Sequence, residues 1–387
     1  MKALKEFDFK NKKVLLRCDF NVPLDLQGNV LDDFRIRQAL PTINYLLERG
    51  AKVILMSHLG SPKGKIVDNL RLDPVQKKLI ELLQKPVVKV ADCLGPEVER
   101  QASLLSGGEV LLLENLRFHS GEEEGEDGFA KNLAVLGDIY INDAFGACHR
   151  AHASISLLPK FLPSGAGLLL EKEISSLSKV LQDPIRPVVA LVGGAKIESK
   201  ILVIKSFLEK ADHLLLGGKI ANSVLGVKGV WIDGQGLSPE IIQMIEQMPL
   251  TSTKLHLPID ALVSADISGQ SYVKESALAE IKKDELLLDI GPETINIFSR
   301  IIQEAKTIVW VGPFGLFENP LFARGTAEMA KAIVGNKQAF KVAGGGETLE
   351  LINKLGLANE FNHISTGGGA MLAFLSGEIL PGIAALK

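Results

Sequence analysis

Apolar residues along this chain fall into short unbroken runs, separated by longer stretches in which they recur every three or four positions. In the first half the runs occupy residues 14–19, 52–57, 110–114 and 138–143, while residues 37–49 and 74–84 carry the helical spacing. Pro74 suits a helix's first turn. Unbroken apolar strands alternating with amphipathic helices predict a parallel sheet covered on both faces. Residues 165–182 predict a further helix, closed by Asp183-Pro184 and Pro187, that joins two lobes. The strand rhythm then restarts at 188–192, and now the runs end in glycine: at Gly194, Gly218, Gly291, Gly312, Gly346 and Gly369. The expected class is α/β, with two doubly wound parallel-sheet (Rossmann-like) domains joined by a hinge helix.

In an open parallel sheet ligands gather outside the strands' carboxyl ends, so the residues that follow each run matter most. After the first come Asp19 and Asn21 in CDFNVP, then Arg35 and Arg37 in the loop beyond. His58 in SHLGSPKG follows the second, Arg117 in ENLRF the third, and His149, Arg150 and His152 in DAFGACHRAHAS the fourth. Such groups on one rim suit a small polyanion, for example a phosphorylated carboxylic acid. The acidic run 121–128, GEEEGEDG, is expected to be a solvated loop.

The second half offers a different rim. In PVVALVGGAKIESK the strand 188–192 stops at Gly193-Gly194 and is expected to turn into a helix whose first turns carry Lys196 and Lys200. Four apart, they would share a helix face near an N-terminus that already favours anions. Glycine-ended strands let backbone approach a ligand and offer it N–H groups. Gly344, Gly345 and Gly346 open another expected helix, with Glu347 placed for a metal ion, and Glu318 offers a carboxylate to ribose hydroxyls. Neither GxxxxGK[ST] nor GxGxxG occurs, so a nucleotide site here is assembled from several loops.

Composition narrows the partners. Aromatic residues make up 5% of the 387 positions and the net charge is −3, which leaves no stacking platform and no basic footprint for nucleic acid. Cys18, Cys93 and Cys148 are far apart and lack CxxC or Cys/His spacing, so neither a disulfide framework nor a zinc site is expected. No apolar run has the length of a membrane span and the first residues show no signal core, which predicts a cytoplasmic protein with no membrane partner.

Taken together, CDFNVP, DDFRIRQALPTI, SHLGSPKG, ENLRF, DAFGACHRAHAS, GGAKIESK, GPFGLFE, GGGET and STGGGA resemble phosphoglycerate kinase, in order along nearly the whole chain. The resemblance implies a phosphoglycerate-binding domain over 1–165, an interdomain helix over 166–186, a nucleotide-binding domain over 187–370, and a segment 371–387 returning to the first domain. It implies reversible phosphoryl transfer between 1,3-bisphosphoglycerate and ADP, giving 3-phosphoglycerate and ATP. Mg2+ is the implied cofactor, closure of the two lobes the implied motion, and a monomer the implied state.

By the same resemblance, Asp19, Phe20, Asn21, Arg35, His58, Leu59, Gly60, Ser61, Arg117 and Arg150 match the phosphoglycerate site. Lys196 matches the lysine that follows the phosphoryl group and Lys200 the one on the nucleotide phosphates. Gly217, Gly218 and Gly291 match the base pocket and Glu318 the ribose. Gly344, Gly345, Gly346, Glu347 and Thr348 match the phosphate and metal end. Arg35, Lys196, Gly345 and Gly368 match catalytic positions. Several residues depart from the family pattern: Ser61 stands for arginine, Val311 for asparagine and Glu347 for aspartate, while Ala373, Ser376 and Glu378 replace Glu, Glu and Lys. The alternatives are a catalytically weakened nucleotide-binding protein of the same fold and a dinucleotide-dependent oxidoreductase, the latter without its GxGxxG.

Overall fold

A computed structural model describes residues 1–230, 237–249 and 252–387. The chain divides into two compact units, Met1–Ser175 with Ile379–Lys387, and Ser176–Glu378. The helix Leu168–Leu181 runs from the first into the second.

In the first unit β1 (Lys13–Arg17), β2 (Lys52–Met56), β3 (Val88–Lys89), β4 (Val110–Leu112), β5 (Ile139–Asn142) and β6 (Ser164–Ala166) form one sheet in the order β3-β4-β2-β1-β5-β6. Every pairing is parallel, with Val14 opposite Val53 on one side and Ile139 on the other. Val14, Leu15 and Leu16 are all fully buried, as expected for a sheet covered on both faces. Helices Phe34–Glu48 and Asp73–Leu83 pack against this core through Ile36, Ile43, Val75 and Leu79. The short strands β3 and β6 carry no apolar run that would have announced them. The closing segment belongs to this unit, where the Gly382 N–H donates to the Cys148 carbonyl at 2.9 Å.

The second unit repeats the plan. Its strands are β7 (Val188–Val192), β8 (His213–Leu216), β9 (Leu255–His256), β10 (Asp260–Ser264), β11 (Lys274–Ala277), β12 (Leu286–Ile290), β13 (Thr307–Val311), β14 (Phe340–Gly344) and β15 (His363–Ile364). Six of them make a parallel sheet in the order β15-β14-β13-β7-β8-β9. The run ending at Gly291 departs from the expected rhythm. It is β12, in a separate antiparallel sheet β11-β10-β12. Leu286 is exposed and Leu288 half-buried, the one-sided burial that antiparallel sheets tolerate and parallel ones do not. Asp260 of β10 then caps the following helix, accepting from Glu293 N at 2.9 Å and Thr294 N at 2.8 Å.

The helix that links the units is also capped, by residues from the ends of other elements. The Thr42 hydroxyl accepts from Leu168 N at 3.0 Å, and one Asp143 oxygen accepts from Leu169 N at 2.9 Å and Leu170 N at 3.1 Å. Burial outweighs these contacts and pushes the Asp143 carboxyl from 3.8 up to about 7. A carboxyl raised in the folded state holds its proton longer there than in the unfolded chain. Its contribution is therefore complete below about pH 4 and is lost as pH rises through the folded value. Relative to Asp143→Asn, the parent should lose up to about 4 kcal/mol of unfolding free energy between about pH 4 and pH 8. Urea unfolding at both pH values measures this, and a difference that does not change with pH contradicts it.

Candidate active site

The carboxyl end of β1 carries a charge inside an apolar run, Arg17, and that charge is fully buried. Its Nε donates to Ser154 Oγ at 2.8 Å, its Nη2 meets His58 Nδ1 at 3.2 Å, and Nη1 donates to the Cys18 carbonyl. Glu122, equally buried, lies 3.8 Å from the guanidinium and accepts from Ser154 N at 2.9 Å and Ser154 Oγ at 2.6 Å. The acidic run is thus not a solvated loop. Residues Ser120–Glu124 form a helix closed by Gly125 in the left-handed region, because Glu122 is needed below the surface to balance Arg17. Arg17, Glu122 and Ser154 were missed as site residues. The signal was present in VLLRC, where an arginine amid buried strand residues requires a buried acceptor.

Above this layer lie the groups that face outward. Arg35 and Arg37 sit in the first turn of helix Phe34–Glu48, not in a loop, and the two differ. Arg37 pairs with Asp33 one turn away at 2.7 Å, on an exposed face. Arg35 is drawn to the rim, where Nη1 reaches both Asp19 oxygens at 3.2 Å and the Asn21 carbonyl at 3.0 Å. Asn21 Oδ1 accepts from Gly60 N at 2.8 Å, and Arg117 Nη1 donates to Gly60 O at 2.8 Å, so residues 58–61 are strung between the two. Phe20 and Leu59 are buried and Ser61 is exposed. Arg117 also stands 3.4 Å from Glu123, and Arg150 Nε lies 3.3 Å from His149 Nε2.

The histidines do not add to the charge. Burial, then Arg17, Arg117 and Arg35, hold His58 well below its usual range. Burial, then Arg117, Arg17 and Arg150, push His152 down to about 3, and burial with Arg150 lowers His149. The rim's charge comes from arginine, and burial lowers the pKa of Arg117 among them.

In the second unit the loops after β7, β8 and β13 interlock through glycine. A Cβ on Gly217 would enter the Phe314 ring, and Gly312 takes φ +87° beside the Gly193 carbonyl. This packing consumes the amides expected for a ligand: Gly193, Gly194, Gly217 and Gly218 N–H donate to Val311, Pro313, Val192 and Phe314 carbonyls at 2.7 to 3.1 Å. The glycines bring loops together here before they bring a ligand close.

The lysine pair also differs from expectation. Residues 193–200 form a wound turn and the helix begins at Ile201, so Lys196 and Lys200 share no helix face. Lys196 is exposed on the turn, while Lys200 is buried with Nζ donating to Gly193 O at 2.8 Å. Burial lowers the Lys200 pKa and Glu347 opposes that fall.

Glu347 lies in the first turn of helix Gly346–Lys354 and lines a cavity of about 210 Å³ with Glu318, Gly194, Gly218, Leu316 and Lys219, the last not anticipated. Gly345 N-caps that helix, and a Cβ on Gly368, which opens helix Gly368–Ser376, would lie 3.5 Å from the Gly345 Cα. Two helix N-termini therefore meet, and first-turn N–H groups have no partner within a helix. Gly344 is buried against Met371. Thr348 is buried with its hydroxyl accepting from Gly312 N at 2.7 Å. Gly291 packs on Asp260 outside this cavity, and Val311 is buried within β13. A larger hollow of about 560 Å³ in the first unit, between residues 24–30 and helix Asp73–Leu83, has none of the candidate rim residues in its lining.

A family model described as phosphoglycerate kinase matches residues 4–378. A phosphoglycerate kinase of Moorella thermoacetica is 49% identical over 99% of this chain and 98% of its own, and one of Dictyoglomus turgidum 48% identical over the same shares. Among solved structures, phosphoglycerate kinase from Coxiella burnetii aligns with a TM-score of 0.85 at 35% identity, covering 99% of this chain and 98% of that one. The Pyrococcus horikoshii enzyme aligns with 0.89 at 34%, covering 100% and 98%.

The buried ion pair under the first rim makes a direct prediction. Glu122→Ala leaves the Arg17 guanidinium buried without its carboxylate, at an expected cost of about 3–5 kcal/mol in unfolding free energy. Urea unfolding followed by circular dichroism reads it, and a loss below about 1 kcal/mol contradicts the role assigned to Glu122.

Proposed function

The chain belongs to the phosphoglycerate kinase family, and we propose that it works by gathering fixed cations and helix N-termini around a phosphoryl group that passes directly between two substrates. The reaction is the reversible transfer between 1,3-bisphosphoglycerate and ADP, giving 3-phosphoglycerate and ATP. The observation that carries the proposed mechanism is Arg35, pinned by Asp19 and Asn21 with 28% of its side chain open. A guanidinium held this way is oriented in advance and pays little to meet a passing phosphoryl group.

Each rim then has a role. Asp19, Asn21, Arg35, Arg117 and Arg150, with the loop 58–61, hold the phosphoglycerate and its far phosphate. Lys196, exposed on its turn, follows the transferred group, and Lys200 with the paired N-termini at Gly345, Gly346 and Gly368 faces the nucleotide phosphates. Gly217, Gly218 and Glu318 belong to the base and ribose end, whereas Gly291, packed on Asp260 outside the cavity, is not given a part in it. The attacking ADP oxygen and the leaving carboxylate are both ionised, so no general base is required. Charge neutralisation and position supply the rate. Closure of the two units is part of this proposal, since each set of cations alone addresses one substrate and water must be kept out.

Magnesium fits the second site. Glu347 is an exposed carboxylate beside the cavity, and Mg2+ is typically held by one or two carboxylates with substrate phosphates and water. Glu347 and Thr348 are the protein groups nearest that role. When bound, the ion neutralises phosphate charge. A cytoplasmic monomer completes the reading, supported by three buried unpaired thiols and by the absence, among the described residues, of any helix long and apolar enough to cross a membrane. Light scattering that gave a dimer mass would revise the monomer.

Arg35→Ala and Lys196→Ala should each lower kcat by roughly 100-fold or more, with KM for both substrates changed only a few-fold. A coupled assay of ATP formation measures both, and near-parent turnover in either variant removes the role given to it. Glu347→Gln should raise the magnesium concentration for half-maximal rate while leaving the phosphoglycerate KM unchanged. An unaltered magnesium dependence would take Glu347 out of the metal site. ADP binding without any ATP formed by the parent chain would favour the catalytically weakened alternative.

A further inference from the structure

The loops that leave β3 and β4 bring together three side chains the phosphoryl-transfer reading does not use: Asp92, Cys93 and His119. Their donor atoms lie within 4.8 Å of one another, and among the described residues they form the one such trio of histidine, cysteine and carboxylate groups. Sequence spacing hides it, since two ligands are adjacent and the third comes 26 positions later, across the parallel β3-β4 pair. We propose that Asp92, Cys93 and His119 form a binding site for a borderline-soft divalent cation, best matched by Zn2+, with one coordination position left open to solvent.

The trio is well placed by its surroundings. Asp92 Oδ1 meets His119 Nε2 at 2.6 Å and accepts from Cys93 N at 2.6 Å. The Asp92 carbonyl accepts from Glu114 N at 3.3 Å, and Val90 N donates to Leu112 O, so the chain leading into the trio is tied to β4 and to the residues just after it. His119 N donates to Leu116 O, and its ring packs at 5.5 Å from Phe129. Cys93 is buried, whereas about half of the Asp92 side chain and a third of the His119 side chain are open. A cation therefore enters from solvent against a thiol at the floor. One nitrogen, one sulfur and one oxygen ligand suit Zn2+, and three protein ligands with an open position are the pattern of an accessible zinc centre. Hard cations such as Mg2+ gain nothing from the sulfur.

Without metal the thiol keeps its proton, because burial, and then the charges of Asp92 and Glu122, push Cys93 well above its usual range. Binding must release that proton to solvent as the S–metal bond forms, so affinity rises with pH. The competing account is an Asp92–His119 ion pair over a packed, inert thiol.

Cobalt distinguishes them, because a thiolate ligand to Co2+ gives a charge-transfer band that a carboxylate or imidazole cannot. The intact chain, titrated with Co2+ in excess Mg2+ and without oxygen, should show this band saturating at one equivalent, displaced by Zn2+, and with tighter binding at pH 8 than at pH 6. Cys93→Ser should abolish the band. His119→Gln and Asp92→Asn, both open to solvent, should weaken binding by at least roughly tenfold while leaving the far-ultraviolet spectrum unchanged. Should Cys93→Ser fail to fold, those two variants carry the same test. No charge-transfer band in the parent, a band that survives Cys93→Ser, or binding unaffected by His119→Gln would overturn the site.

Discussion

Strand direction is the constraint on which the rest depends. In each six-stranded sheet every hydrogen-bonded pair is parallel, so every strand of that sheet releases its chain at the same edge. The first unit spends this edge on charge: Asp19, Arg35, His58, Arg117 and Arg150 all follow strands that lie side by side. The second spends it on backbone, with the loops after β7, β8 and β13 locked by mutual amide-carbonyl bonds and helix N-termini opening at Gly345 and Gly368. A parallel sheet cannot return its chain by a tight turn, so helices must cross back over its faces, and their first turns supply further anion-attracting groups.

Two kinds of charge divide the work in the first unit. Arg17 and Glu122 are fully buried and share Ser154, and together they set the floor on which the loop 58–61 and the helix Ser120–Glu124 rest. Arg35, Arg117 and Arg150 sit above it and supply the cations of the rim. His58 and His152, which look like further cations, are kept neutral by burial and by the arginines around them. Concentrated positive charge therefore comes from the arginines, and the neighbouring histidines add none to it.

Much of this was legible in the sequence because parallel strands are apolar throughout and the groups after them are polar by contrast. The four principal strands of the first unit and the loops carrying Asp19, His58, Arg117 and Arg150 follow from that pattern alone. Elements decided by tertiary partners were not legible. β3 and β6 are two and three residues long and carry too little pattern to see. Glu122 hides in an acidic run that composition assigns to solvent, and its burial follows only from Arg17. In the turn 193–200 Gly194 takes φ +99° and Lys200 Nζ bends back to Gly193 O, and Gly291 follows a strand of an antiparallel sheet, which tolerates a wet face. Glycine at strand ends marked the right loops, yet four of those glycines serve loop-to-loop packing first.

What unites these features is the claim that the protein contributes charge and position and forms no bond to the phosphoryl group. Its three thiols are buried and held protonated, and the groups proposed at both rims are donors and cations. The stereochemical course at phosphorus tests this most directly, using acyl phosphate made chiral with oxygen isotopes and reading the configuration in the ATP formed. One direct displacement predicts inversion. Retention would require two displacements, through a covalent intermediate on a side chain of this protein, and would contradict the account.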